Sequence, residues 1–151
     1  MEIKIICVGG VKQSWYKDAC AEYVKRLRGV AVVNIIEIKE QSHLPTIQAL
    51  AAEAKQILPK LKGRVIVLDI GAPCADSEEF SRIISGFLDS GGAAISFVIG
   101  GSNGLCNEVK QRADSLLSFS RMTFPHTLFR VMLLEQIYRA FSIMSGSPYH
   151  K

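Results

Sequence analysis

The chain predicts an α/β fold: one mostly parallel sheet of about five strands with helices on both faces. Three observations carry this. Short β-branched runs alternate with helix-period segments along all 151 residues. Two of those runs, Arg64–Asp69 with Val-Ile-Val-Leu at its centre and Ala94–Ile99, read as strands buried on both faces, as in a parallel sheet. Hydrophobic residues make up 48% of the chain and charged residues 21%, which is enough to cover such a sheet.

The elements follow in order. Ile3 to Val8 is a β-branched strand ended by Gly9-Gly10. From Ser14, Tyr16, Ala19, Cys20, Tyr23, Val24 and Leu27 recur at helical spacing until Gly29. Ala31 to Ile38 is a second strand, and Lys39 to Pro45 a polar, mobile loop. A helix is expected over Thr46 to Leu58 and a third strand over Arg64 to Asp69. Asp76 with Glu79 three residues on forms a capping box for the next helix. Ala94 to Ile99 is the fourth strand, Leu105 to Ala113 a short helix and Leu116 to Ser118 a very short strand. Thr127 to Met144 closes the chain as a helix apolar nearly all round. Such a helix must be covered all round, either by neighbouring loops or by a second copy across a two-fold axis, the simpler solution. A single domain over residues 1–151 is expected, with no internal repeat.

Composition narrows the function only loosely. A net charge of +4 permits a nucleic-acid partner without demanding one. Cys7, Cys20, Cys74 and Cys106 share no C-x-x-C spacing and no nearby histidine, so reduced thiols and no metal are expected. The N-terminal apolar run is too short for a signal peptide and no run is long enough to span a membrane; a cytoplasmic protein is expected.

The chemistry concentrates in the last third. Gly100-Gly101-Ser102-Asn103-Gly104 follows a buried strand; it is neither a P-loop nor G-x-G-x-x-G. Tight turning explains one or two of its glycines, and close approach of a ligand to the backbone explains three in five positions. Asp69 ends the third strand similarly, either as a turn acid or beside the same crevice. His126 follows Pro125 at the mouth of the last helix, in a packing or a catalytic role. His150 is held near the terminus by Pro148 and Tyr149. His43 reads as solvated, and Arg130 as a charge needing a partner. Arg139 has Glu135 four residues before it, so an ion pair and an RNA contact stand as equal readings.

Val8-Gly9, Tyr23-x-Lys25-Arg26, Leu68-Asp69, Ile99-Gly100-Gly101-x-x-Gly104, Phe124-Pro125-His126, Arg130, Glu135-Gln136-x-Tyr138-Arg139-Ala140 and Pro148-Tyr149-His150 occur together and in this order. This ordered set resembles the bacterial RlmH family, the large-subunit ribosomal RNA pseudouridine N3-methyltransferases of the SPOUT class, over the whole chain. The resemblance implies a C-terminal trefoil knot, one of the few exceptions to unknotted topology. It implies S-adenosyl-L-methionine held at Leu68, Gly100 and Phe119, Ser120, Arg121, Met122, Thr123 and Phe124, largely through main-chain groups. It further implies a homodimer built partly on the last helix, and as substrate pseudouridine 1915 in helix 69 of the 23S ribosomal RNA, on the large subunit or the assembled ribosome. Within that reading His126 or His150 is the base, and Arg139, Tyr149 and Lys151 contact RNA. Ser102-Asn103 and the terminal Lys151 depart from the family pattern; lysine lacks the bidentate fork of arginine. The competing readings are a non-catalytic RNA- or ribosome-binding module of the same fold, and a nucleotide-binding α/β protein without methyl transfer.

Overall fold

In the computed structural model, alternation along the strands decides which helices cover which face. The structure describes residues 1–150, with His150 described through its backbone alone. The strands are β1 (Glu2–Val8), β2 (Val32–Ile38), β3 (Arg64–Leu68), β4 (Ala94–Ile99) and β5 (Ser115–Leu117). They form one all-parallel sheet in the order β2-β1-β4-β3-β5. The helices are α1 (Ser14–Leu27), α2 (Thr46–Ile57), α3 (Ser77–Asp89), α4 (Asn107–Gln111) and α5 (His126–Met144).

Ile3, Ile5 and Cys7 of β1 point to one face, with Ile66 of β3 and Phe97 of β4. There they meet Cys20 of α1, Phe80 of α3 and Leu133 and Ile137 of α5. Ile6 and Val8, with Val67 and Val98, point to the other face and meet Ala54 and Ile57 of α2 and Val109 of α4. Every residue of β4 is buried. A parallel sheet covered on both faces needs such continuous apolar strands, which is why β3 and β4 carry no polar alternation apart from Ser96. Ser96 is fully buried, and its hydroxyl bridges the N–H and C=O of Lys62 at 2.8 Å each.

Most boundaries fall within a residue or two of expectation. α4 begins at Asn107 rather than Leu105, because Leu105 is drawn down into the core and Cys106 is extended. After α2 the chain tightens into a 3-10 turn at Leu58–Lys60, where Pro59 sits at the start. A second 3-10 turn, Pro148–His150, ends the described chain. The capping box is present: Glu79 N–H donates to Asp76 at 2.7 Å and Asp76 N–H donates to Glu79 at 2.9 Å.

The path of the C-terminal third matters most for function. β5 pairs with β3 at the sheet edge, yet α5 packs between α1 and α3. The chain must therefore cross the carboxyl ends of the strands between them. Along that crossing Ser118 is pinned to the loop after β3: its N–H donates to Pro73 C=O, and its own C=O accepts from Ala75 N–H, both at 2.9 Å. Among the described residues no helix is long and apolar enough to cross a membrane.

Candidate active site

Leu68 lies beside Ile99 on one side and Leu117 on the other, so β3, β4 and β5 open their carboxyl ends onto one crevice. Ligands of parallel α/β sheets bind at such edges. Here the crevice is a cavity of about 380 Å³, roofed by the crossing segment. Its volume and largely apolar lining, Leu68, Ile99, Leu105, Leu117 and Phe129 among it, fall in the range of small-molecule sites.

The glycine loop forms one wall. Gly104 has φ +74°, which a side chain would strain. Its N–H donates to Gly101 C=O at 3.0 Å, closing the turn. A Cβ on Gly100 would stand 2.6 Å from Gly104 C=O. The loop thus needs glycine at 100 and 104 for its own closure, while Gly100, Gly101 and Gly104 also line the cavity. Ser102 hydroxyl donates to Glu40 at 2.8 Å, tying the loop to the segment after β2.

The crossing segment forms the opposite wall, and here the side chains alternate. Ser118, Ser120 and Met122 line the cavity. Phe119 turns the other way, packing edge-on against Phe80 and tilted against Phe129, each with ring centroids 5.3 Å apart. The Arg121 side chain is exposed and outside the lining. The run is bent at Phe119, Arg121 and Met122. Ser118 hydroxyl donates to Ser120 C=O at 2.8 Å and Met122 N–H donates to Ser120 hydroxyl at 3.0 Å, turns that hold Ser118, Ser120 and Met122 on the cavity. From Thr123 the chain curls over, and Thr123, Phe124, Pro125 and His126 all border the space.

α5 starts here. Its N-cap, Pro125, offers no side-chain hydrogen bond. The first-turn N–H groups and the positive end of the helix dipole therefore border the cavity, where they favour negative charge. Phe129, three residues after His126, faces the same way by helical spacing, a signal present in the sequence. Less legible was the ion pair of Asp69 and Lys110, both lining the cavity. The hydrogen bond from Lys110 holds the Asp69 carboxyl below its ordinary range despite partial burial. That pairing depends on where α4 begins, which spacing alone did not fix.

The candidates for RNA contact lie elsewhere. Arg139 donates to Glu135 through Nη2 at 2.6 Å and Nε at 3.0 Å, and through Nη1 to Tyr149 C=O at 3.4 Å. Its guanidinium stacks 4.9 Å from the centroid of the Tyr149 ring. Tyr149 also packs edge-on against Tyr138 with centroids 4.8 Å apart, and burial pushes its phenol up to about 12. So the Glu135 ion pair is formed, and it anchors the tail. Arg139 lies thirteen positions beyond His126 on the helix, roughly 20 Å along the axis. The His150 side chain and Lys151 lie outside the described residues. His43 is exposed.

Comparison with known proteins fits this geometry. The model of a family described as predicted SPOUT methyltransferase matches residues 1–150. A protein of Caldicellulosiruptor bescii named ribosomal RNA large subunit methyltransferase H is 50% identical over 156 residues, 99% of each chain. One of the same name from Lactobacillus helveticus is 45% identical over 159 residues, 100% of each. Among solved structures, a probable methylase family protein from Haemophilus influenzae superposes with a TM-score of 0.58 at 15% identity, covering 99% of this chain and 70% of its own. The family match and this likeness support the knotted α/β fold.

Proposed function

The chain belongs to the SPOUT methyltransferase family, and from that premise we propose that it methylates N3 of a pseudouridine in helix 69 of the 23S ribosomal RNA. The observation that carries the reading is the cavity between the glycine loop and residues 118–126, at the strand ends where the fold offers backbone to a ligand.

S-adenosyl-L-methionine, the methyl donor of SPOUT enzymes, supplies an activated methyl group on a sulfonium. The cavity fits it chemically. Apolar walls at Leu68, Ile99 and Leu105 suit an adenine, the Asp69 carboxylate suits a cation, and Lys110 and the first turn of α5 suit a carboxylate. Leu68, Gly100, Ser120, Met122, Thr123 and Phe124 line the space, whereas Phe119 and Arg121, expected at the donor site, are not among the lining residues. What remains for the protein is to place the acceptor nitrogen and remove its proton. His126, on the cavity wall, accepts the N3 proton in this reading. His150 is the alternative base.

The chain acts, in this reading, as a cytoplasmic homodimer, and Arg139 and Tyr149 belong to its RNA-facing side. They sit too far from their own cavity to serve it, so we assign them, with Lys151, to the RNA-facing side completed by a second copy. The incompletely covered face of α5, where Leu128, Val131 and Met132 are only half-buried, is the surface for that pairing.

The test is mass spectrometry of ribosomal RNA from ribosomes lacking the modification, incubated with the protein and S-adenosylmethionine. A gain of one methyl on the helix 69 pseudouridine is expected. Tight ribosome binding with no methyl gain identifies a non-catalytic module instead.

A further inference from the structure

We propose that Arg130 is a positioning residue for His126 and acts through the main chain of Gly9. The inference rests on the reading of His126 as the base.

Arg130 lies one turn beyond His126 on the same side of α5. Its side chain is 3% exposed, and a charge so far from water persists only when paired. Its Nη1 donates to Glu37 Oε1 at 2.6 Å and its Nη2 to Gly9 C=O at 2.9 Å. Glu37 Oε1 also accepts from Val11 N–H at 3.1 Å. One guanidinium and one carboxylate therefore grip both ends of the turn from Gly9 to Val11, which links β1 to α1.

That turn is the floor under the imidazole. Gly9 has φ +88°, and a Cβ there would stand 2.7 Å from His126 Nε2. The ring rests directly on the glycine backbone. Among the described residues it makes no hydrogen bond, so packing on Gly9 is what places it. Anything that moves the Gly9 carbonyl moves the ring.

The cost of this grip argues for position over stability. Arg130 Nε is buried without a partner, and an unmatched buried donor is destabilising. The ion pair is buried on the arginine side alone, since the Glu37 side chain is 48% exposed, and a partner so open to water adds little stability. The residue leaves one donor orphaned while its two terminal nitrogens reach Glu37 and Gly9. Lysine at 130 would retain the charge but lose the two-way fork.

The experiment measures turnover on ribosomes lacking the modification, donor affinity by calorimetry and folding by circular dichroism, for Arg130→Lys, His126→Ala and the double variant. Arg130→Lys is expected to lower kcat on the order of 10- to 100-fold, as small misplacements do, with KM for ribosomes and donor Kd near wild type. In the His126→Ala background the same change should cause no further loss. Glu37→Gln, which retains an acceptor for both donors, should keep most of the turnover. If Arg130→Lys does not fold, Arg130→Met replaces it, since it removes both guanidinium bonds without burying an unpaired charge, and the same loss of kcat is expected. Losses that multiply in the double variant, or a folded Arg130→Lys with wild-type kcat, overturn the proposal while leaving the base intact. Wild-type turnover in His126→Ala removes the base, and the positioning role with it.

Discussion

Replacing Gly100 by alanine tests the glycine wall of the cavity at a single atom. The added Cβ would lie 2.6 Å from Gly104 oxygen and 2.7 Å from its carbonyl carbon. Both clashing groups are backbone, so no rotamer change relieves them. The gap must open by roughly 0.8 Å to regain ordinary contact at 3.4 Å. The turn resists, being closed by the Gly104-to-Gly101 hydrogen bond and braced by Ser102 on Glu40. Overpacking of this kind costs about 1–3 kcal/mol. Spent on restoring the binding geometry, that weakens donor affinity roughly 5- to 150-fold. In a chain of this size each kcal/mol also lowers Tm by about 2–4 °C. Calorimetry with S-adenosylmethionine and a thermal melt read both effects. Gly86→Ala is the control: it lies within α3 with nothing inside 4 Å of the new methyl. It should gain about 0.5–1 kcal/mol of stability and leave donor affinity alone. A folded Gly100→Ala binding the donor as wild type does would refute the reasoning.

Ser96→Ala strips both partners from the Lys62 backbone and should cost about 1–3 kcal/mol, read as a lower urea midpoint with donor affinity unchanged. Burial raises the Glu37 pKa, but hydrogen bonds from Arg130 and Val11 N–H and the Arg130 charge outweigh it, so the net shift is downward. Its contribution is therefore complete above the ordinary value of 4.5 and lost as pH falls through the lowered folded-state value. Wild type should exceed Glu37→Gln in urea midpoint near neutrality, and the two should converge below that window. Met132→Glu, on the half-buried face of α5, should sediment as a monomer that folds and binds donor but no longer methylates ribosomes; full turnover by that monomer would remove the composite site.

Legibility followed periodicity. β3 and β4 were plain because a doubly covered strand has to be apolar throughout, and the α3 cap because Asp76 and Glu79 can reach each other in one turn. The cavity itself was legible as two loops flanking strand ends. What the sequence left open was the direction each side chain takes within them. Phe119 and Arg121 stand in a run with Ser120 and Met122, yet the bends of the loop, set by hydrogen bonds of the Ser118 and Ser120 hydroxyls, leave the first pair outside the space that the second pair lines. Gly100 read as an opening for a ligand, while its crowding by Gly104 is a property of the closed turn that no spacing reveals. Lys110 became visible at the site only once Leu105 was seen to be core and α4 to start later. The partner expected for Arg130 proved to be Glu37, 93 positions away in the chain, a distance over which local pattern carries no information.

The most direct measurement is a crystal structure of the protein grown with S-adenosylmethionine. The account predicts density for the donor between Gly100 and the segment from Ser118 to Phe124, with its methyl group directed toward His126. A donor bound at another surface, with that cavity empty, would contradict it.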